Sequence, residues 1–159
     1  MSDKPEFDAA AAHKYFAAHC FNQAWDLIEK QARTAQDERL MVALNQASIY
    51  HWLQRDDCDD GRLSVGYWQA SRIQSLLGNA GEARRFAEIC LAHSRNLEPF
   101  YLGYAFEALA RAEAVAGNAA AASSHAAEAR AHAERVSRRE DRELLLNDLA
   151  TVALRRSDF

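Results

Sequence analysis

The residues around Gly78-Asn79 return around Gly117-Asn118, 39 positions further along the chain. Arg72 is answered by Arg111, Ala87 by Ala126 and His93 by His132 at the same interval. A Gly-Asn break between two apolar-periodic stretches is what a tight turn between helices requires, since glycine accepts the left-handed conformation that ends a helix. Each helix pair has an apolar face that it can bury only against neighbouring pairs, so a repeat of this kind predicts stacked helical hairpins. Composition agrees: 6 Gly and 2 Pro in 159 residues cannot punctuate the many short strands of a sandwich or barrel. The Ala, Leu, Glu and Arg stretches between them are strong helix formers. A chain of this length buries enough surface to fold as one domain without disulfide or metal, so a single helical-repeat domain over residues 1–159 is expected.

Periodicity places about eight helices. The first covers 7–19, and Asn22 caps a second carrying Trp25, Leu27, Ile28 and Ala32. Asp37 opens a third that ends before the polar loop at 55–61. Together 7–54 form divergent N-terminal helices. Ser64 caps a fourth helix reaching Leu77, and the fifth covers 80–95, so 64–95 form one repeat. Pro99 interrupts the chain before a sixth helix at 101–116, and an Ala-rich seventh reaches Val136, which gives a second repeat over 101–136. A last helix at 138–154 reads as a solvent-facing cap, with a frayed tail at 155–159. Ala83, Ala87, Ala122 and Ala126 read as points where helices approach closely.

These residues resemble the tetratricopeptide family. Gly78 and Gly117 fit its turn glycine, Ala83 and Ala122 its small residue early in the second helix, and Tyr67 and Phe106 the bulky residue early in the first. Ala87 and Ala126 stand where the family has a larger side chain. The usual Leu-Gly pair reads Ala70-Ser71 and Leu109-Ala110, no Pro closes either second helix, and the period of 39 exceeds the family's roughly 34. The likeness is clear over 64–135 and weak over 22–54. The whole chain is also similar to a small bacterial group of uncharacterised tetratricopeptide-like proteins. The resemblance implies an all-α right-handed superhelix and non-catalytic binding of a protein or peptide segment in a concave groove. It carries ligand contacts onto Trp68 and Arg72 in one repeat and Tyr104, Glu107 and Arg111 in the next.

Spacing supports that placement. Trp68, Arg72 and Ser75 recur three or four apart, as do Tyr104, Glu107 and Arg111, so each set forms a stripe along one helix face. Rings and guanidinium forks suit a peptide's apolar side chains and carboxylates. Asn45, Tyr50 and Trp52 extend the wall from the third helix. The competing reading puts the rings in interhelical core and pairs Arg111 with Glu107 or Glu113 inside the molecule.

No dinucleotide, phosphate-loop, zincin or nucleophile-elbow motif is present, so no enzyme and no cofactor are expected. His13 and His19, six apart, share a face imperfectly; His51 with Asp56 and Asp57 could complete a metal site, the weakest of the readings. The acidic run Asp56, Asp57, Asp59 and Asp60 lacks the spacing and terminal Glu of a calcium loop. Cys20, Cys58 and Cys90 are odd in number and far apart, which fits neither a disulfide framework nor a zinc knuckle. Cys20 and Cys90 read as packed thiols, and acidic neighbours oppose thiolate formation at Cys58. Net charge is −4 and the pI is near 5.9, without the basic excess of a nucleic-acid binder; an Arg-bearing groove on such an acidic body favours an acidic protein segment over nucleic acid. No leader or membrane span is read, which predicts a cytoplasmic protein. The alternative function is a homo-oligomeric module that dimerises through exposed helix faces such as the Ala-rich seventh helix.

Overall fold

The computed structural model describes residues 6–153. The start of the chain at 1–5, on which the leader reading partly rests, lies outside the described residues. So do the expected helix end at Leu154 and the tail at 155–159. Seven helices are formed among the described residues: α1 (Ala9–Glu29), α2 (Ala35–Leu53), α3 (Asp60–Leu76), α4 (Ala80–Ser94), α5 (Pro99–Ala116), α6 (Ala119–Glu134) and α7 (Arg139–Ala153). They divide into two compact units at the junction of Asp59 and Asp60.

The N-terminal unit is the α1/α2 hairpin. The two helices expected at its start are one: α1 runs through Asn22, which is exposed in mid-helix and caps nothing. The reason is that Ala17, Cys20, Ala24 and Ile28 continue a single buried stripe at helical spacing with no Gly or Pro between them. Asp8 caps α1 by accepting from the Ala11 amide at 3.0 Å. Thr34, not Asp37, caps α2. Asp37 is its third residue and closes a capping box, in which the Thr34 amide donates to the Asp37 carboxylate at 2.9 Å and the Asp37 amide to Thr34 Oγ1 at 3.1 Å. Against the α1 stripe lie Met41, Asn45, Ser48 and Ile49 of α2, and Ser48 Oγ donates to the Ala17 carbonyl at 2.7 Å.

The C-terminal unit stacks the pairs α3/α4 and α5/α6. Helix α5 also packs on α3 and α4, and α7 packs on α5 and α6. Helix α3 begins at Asp60, so Ser64 is an interior residue rather than a cap; its buried hydroxyl bonds Ser94 Oγ at 2.7 Å. Pro99 is the first residue of α5, where a missing N–H costs nothing, so it starts this helix.

The repeat is visible atom by atom. Gly78 and Gly117 have φ of 78° and 83°. The Asn79 amide donates to the Gln74 carbonyl and the Asn118 amide to the Glu113 carbonyl, both at 2.9 Å, which with the adjoining glycine amides makes two Schellman turns. The Asn79 side-chain amide then bonds Gln74 Oε1 at 2.9 Å, as that of Asn118 bonds Glu113 Oε2 at 2.7 Å. Tyr67 stacks on His93 with ring planes 3° apart, and Phe106 stacks on His132 at 8°. Phe86 and His125 complete the two sandwiches. Each of these residues has its counterpart 39 positions away. Ala83 and Ala87 are fully buried, whereas Ala122 and Ala126 are only half-buried, because α6 has sparser packing against α7 than α4 has against α5.

Candidate binding site

Side chains of α3 and α5 converge on the carboxylate of Glu107, which is completely buried, and α7 joins them through Arg111. Trp68 Nε1 donates to its Oε2 at 2.8 Å. Arg111, one turn further along α5, donates Nε and Nη2 to Oε1 at 2.9 and 2.6 Å. Arg72 Nη1 reaches the same oxygen at 3.4 Å. The 39-residue offset places Trp68 and Glu107 at equivalent points of successive repeats, and Arg72 and Arg111 likewise. The five residues expected as a ligand-binding set in this unit are therefore one network.

Two further partners come from α7, the last described helix. Arg111 Nη2 donates to the Asp148 carbonyl at 3.0 Å and to Thr151 Oγ1 at 2.7 Å. Tyr104 OH donates to Asp148 Oδ2 at 2.7 Å. The Tyr104 ring meets Trp68 edge-on with centroids 5.2 Å apart, and Phe100 meets it at 5.1 Å. The helix itself is expected from periodicity, but the one signal for its part in the network is the spacing of Asp148 and Thr151 by three, too common to single out.

Burial, then the bond to the charged Asp148, pushes the Tyr104 phenol well above its ordinary range, so it acts as a donor and not as an acid–base group near neutrality. Arg72 is pulled the other way. Burial, followed by repulsion from Arg111, lowers its affinity for its proton, and Glu107 and Asp148 offset this only in part. Its side chain is 15% exposed, yet Nε is buried without a partner, as is Ser75 Oγ one turn along α3. Ser75, Arg111 and Thr151 line a cleft of about 20 Å³, the scale of one water. Glu113, the other acid considered for Arg111, is held by Arg84 Nε and Nη2 at 2.5 and 3.0 Å. Those bonds, aided by Asn118, keep its carboxyl below the usual range.

Asn45 and Trp52 belong to the N-terminal unit. Asn45 is buried and accepts from Gln46 Nε2 at 3.0 Å. Trp52 is half-buried under the Arg55 guanidinium, 3.9 Å from the ring centroid, while that guanidinium forks onto Asp57 at 2.7 and 2.6 Å. Of the histidines weighed as ligands, His13 and His51 meet with their Nδ1 atoms 2.8 Å apart, and His19 stacks on Tyr15. Among the described residues no group of three His, Cys, Asp or Glu is arranged to hold a metal. Cys90 lies against Ser64 and Ser94, and burial pushes its thiol up to about 11; burial also raises Cys20. The three cysteines form no disulfide.

No family model, curated protein or solved structure matches the chain significantly. The described residues form an all-α protein of packed consecutive helix pairs, consistent with a helical-repeat architecture. No helix among the described residues is long and apolar enough to cross a membrane.

Proposed function

We propose that the chain is a non-catalytic, tetratricopeptide-like module of the cytoplasm that binds an acidic protein segment, with Arg72 and Arg111 as the cationic end of its site. The observation that carries this reading is the state of Arg72. A guanidinium has five donors and needs most of them used when it leaves water. Here one long contact to a carboxylate already shared with Arg111 is the ion pair it makes, and one of its buried donors faces no acceptor. A carboxylate brought by a partner would supply the missing charge. Tyr104 offers a half-buried ring beside it. Trp68 and Glu107 are buried and position the two arginines rather than touch a ligand.

Fluorescence anisotropy with a panel of acidic peptides and their amidated counterparts tests this. Truncating one partner of a desolvated charge pair costs about 2–5 kcal/mol, so Arg72→Gln is expected to weaken binding by about 30-fold or more. An unchanged affinity in that variant, or a panel in which acidic and amidated peptides behave alike, overturns the assignment.

A homo-oligomeric module is the second reading. It is favoured by the large side chains exposed on the N-terminal unit, among them Tyr15, Phe16, Tyr50 and Leu53. Helix α6, the face first considered for it, exposes mainly Ala, Ser and charged residues. Sedimentation of a strict monomer at tens of micromolar would remove this reading.

A further inference from the structure

The N-terminal unit carries a contact that the binding site does not use. His13 of α1 and His51 of α2 meet through the same ring nitrogen, Nδ1 to Nδ1, at 2.8 Å. Their ring centroids are 5.0 Å apart, and the pair is set in an aromatic layer in which Phe16 packs on His51 and Tyr50 on both rings. A bond between two Nδ1 atoms requires one to be protonated and the other to offer its lone pair. We infer that His13 and His51 form an acid-sensitive clasp between α1 and α2, closed while the facing nitrogens share one proton and forced open when each carries its own.

Counting protons gives the order of events. With both rings neutral, the donor ring has a free lone pair on Nε2 and the acceptor ring has its own proton there. The first proton taken up from solvent goes to the donor's Nε2; that ring becomes a cation and donates more strongly, so the contact survives. The second proton has only the acceptor's Nδ1 to occupy. Two N–H groups then face each other across 2.8 Å with a positive charge on each ring, and the rings must part.

The surroundings give no relief to a doubly charged pair. On α1 the neighbouring ionisable groups are Lys14, Tyr15 and, beyond Phe16, His19. From α2 and the turn after it come Tyr50 and Arg55, whose guanidinium reaches back to the Lys14 carbonyl at 3.5 Å and holds Asp57. No carboxylate bonds either imidazole among the described residues. His93 in the other unit shows the opposite arrangement, with Asp60 at 2.8 Å from its ring nitrogen. Consistent with this, burial and then the proximity of His13 hold His51 below the ordinary histidine range. A histidine whose folded value is depressed binds its proton better in the unfolded chain. The clasp's contribution to stability is therefore complete above the unfolded value of about 6.5 and falls as the pH drops through and below it.

The test is an NMR titration of the full-length protein from about pH 8 to about pH 4.5. It follows the Cε1–H signals of the histidines and the ring signals of Phe16 and Tyr50. The expected result is two separated steps for the pair, with the Phe16 and Tyr50 signals moving in the second. In His13→Gln the proton affinity of His51 is expected to rise several-fold and the late movement of both rings to vanish. A single step at the ordinary histidine position, a second step that leaves Phe16 and Tyr50 unmoved, or a His51 titration unchanged in His13→Gln would each overturn the inference. The wild-type titration decides the matter even if the variant fails to fold.

Discussion

Replacing Glu107 with Ala is expected to cost about 3–5 kcal/mol of unfolding free energy, the usual result of removing one partner from a buried charge network. The substitution deprives Arg111 of two bonds, Trp68 Nε1 of its acceptor and Arg72 of its carboxylate contact. Two guanidinium groups, 14% and 15% exposed, would then share a pocket without a countercharge. A domain of ordinary stability has about 5–15 kcal/mol in hand, so a large part of the reserve would go. Glu107→Gln keeps the shape and one acceptor, and is expected to lie between Ala and the natural residue. Urea denaturation followed by tryptophan fluorescence measures both. A loss of under about 1 kcal/mol for Glu107→Ala would mean that water already screens both arginines, and the network would cease to be a buried one.

Gly103→Ala carries the second large effect. In an exposed helix interior this exchange ordinarily gains about 0.5–1 kcal/mol. At Gly103 the added Cβ would overlap Leu145 Cδ2, with the Ala129 carbonyl and His132 Cβ each at 3.6 Å. Leu145 is fully buried and one of the main anchors of α7. Leu145 must change rotamer or shift within its fully buried site, so a net destabilisation of about 1–3 kcal/mol is expected. A double-mutant cycle identifies the cause. In a Leu145→Ala background, itself costly by about 2–5 kcal/mol, Gly103→Ala should become neutral or stabilising. An equal penalty in both backgrounds would show that the contact with Leu145 is not the source. The position corresponds to Ser64 one repeat earlier, so this approach of α7 is particular to the second repeat.

Most of the helices were legible because their signals are local. Gly78 and Gly117 end helices through their own φ, and the 39-residue echo survives as matched turns and matched aromatic sandwiches. The errors fell where a weak local signal met a stronger pattern. Asn22 and Ser64 are good caps in isolation, but each lies inside a helix whose buried stripe runs past it. Tertiary burial outweighs a capping preference of about 1 kcal/mol.

The candidate site was legible by half. Helical spacing put Trp68 with Arg72, and Tyr104 with Glu107 and Arg111, on common faces. Nothing local told which side chain was the hub, or that Asp148 and Thr151 would join. Nor could spacing match His13 with His51 across the other hairpin, 38 positions away.

By itself the sequence determined an all-helical chain, the turns at its two Gly-Asn pairs and the stripes of each helix, all set by dihedral preference and periodicity within a few residues. Only the tertiary structure decided that Glu107 gathers Trp68, Arg72 and Arg111, that α7 closes the network, and that one arginine is left short of partners. Those bonds join different helices across 35 to 44 positions, apart from the one-turn pair Glu107 and Arg111. Their existence depends on how far one helix is offset against the next, which packing sets and no local pattern encodes.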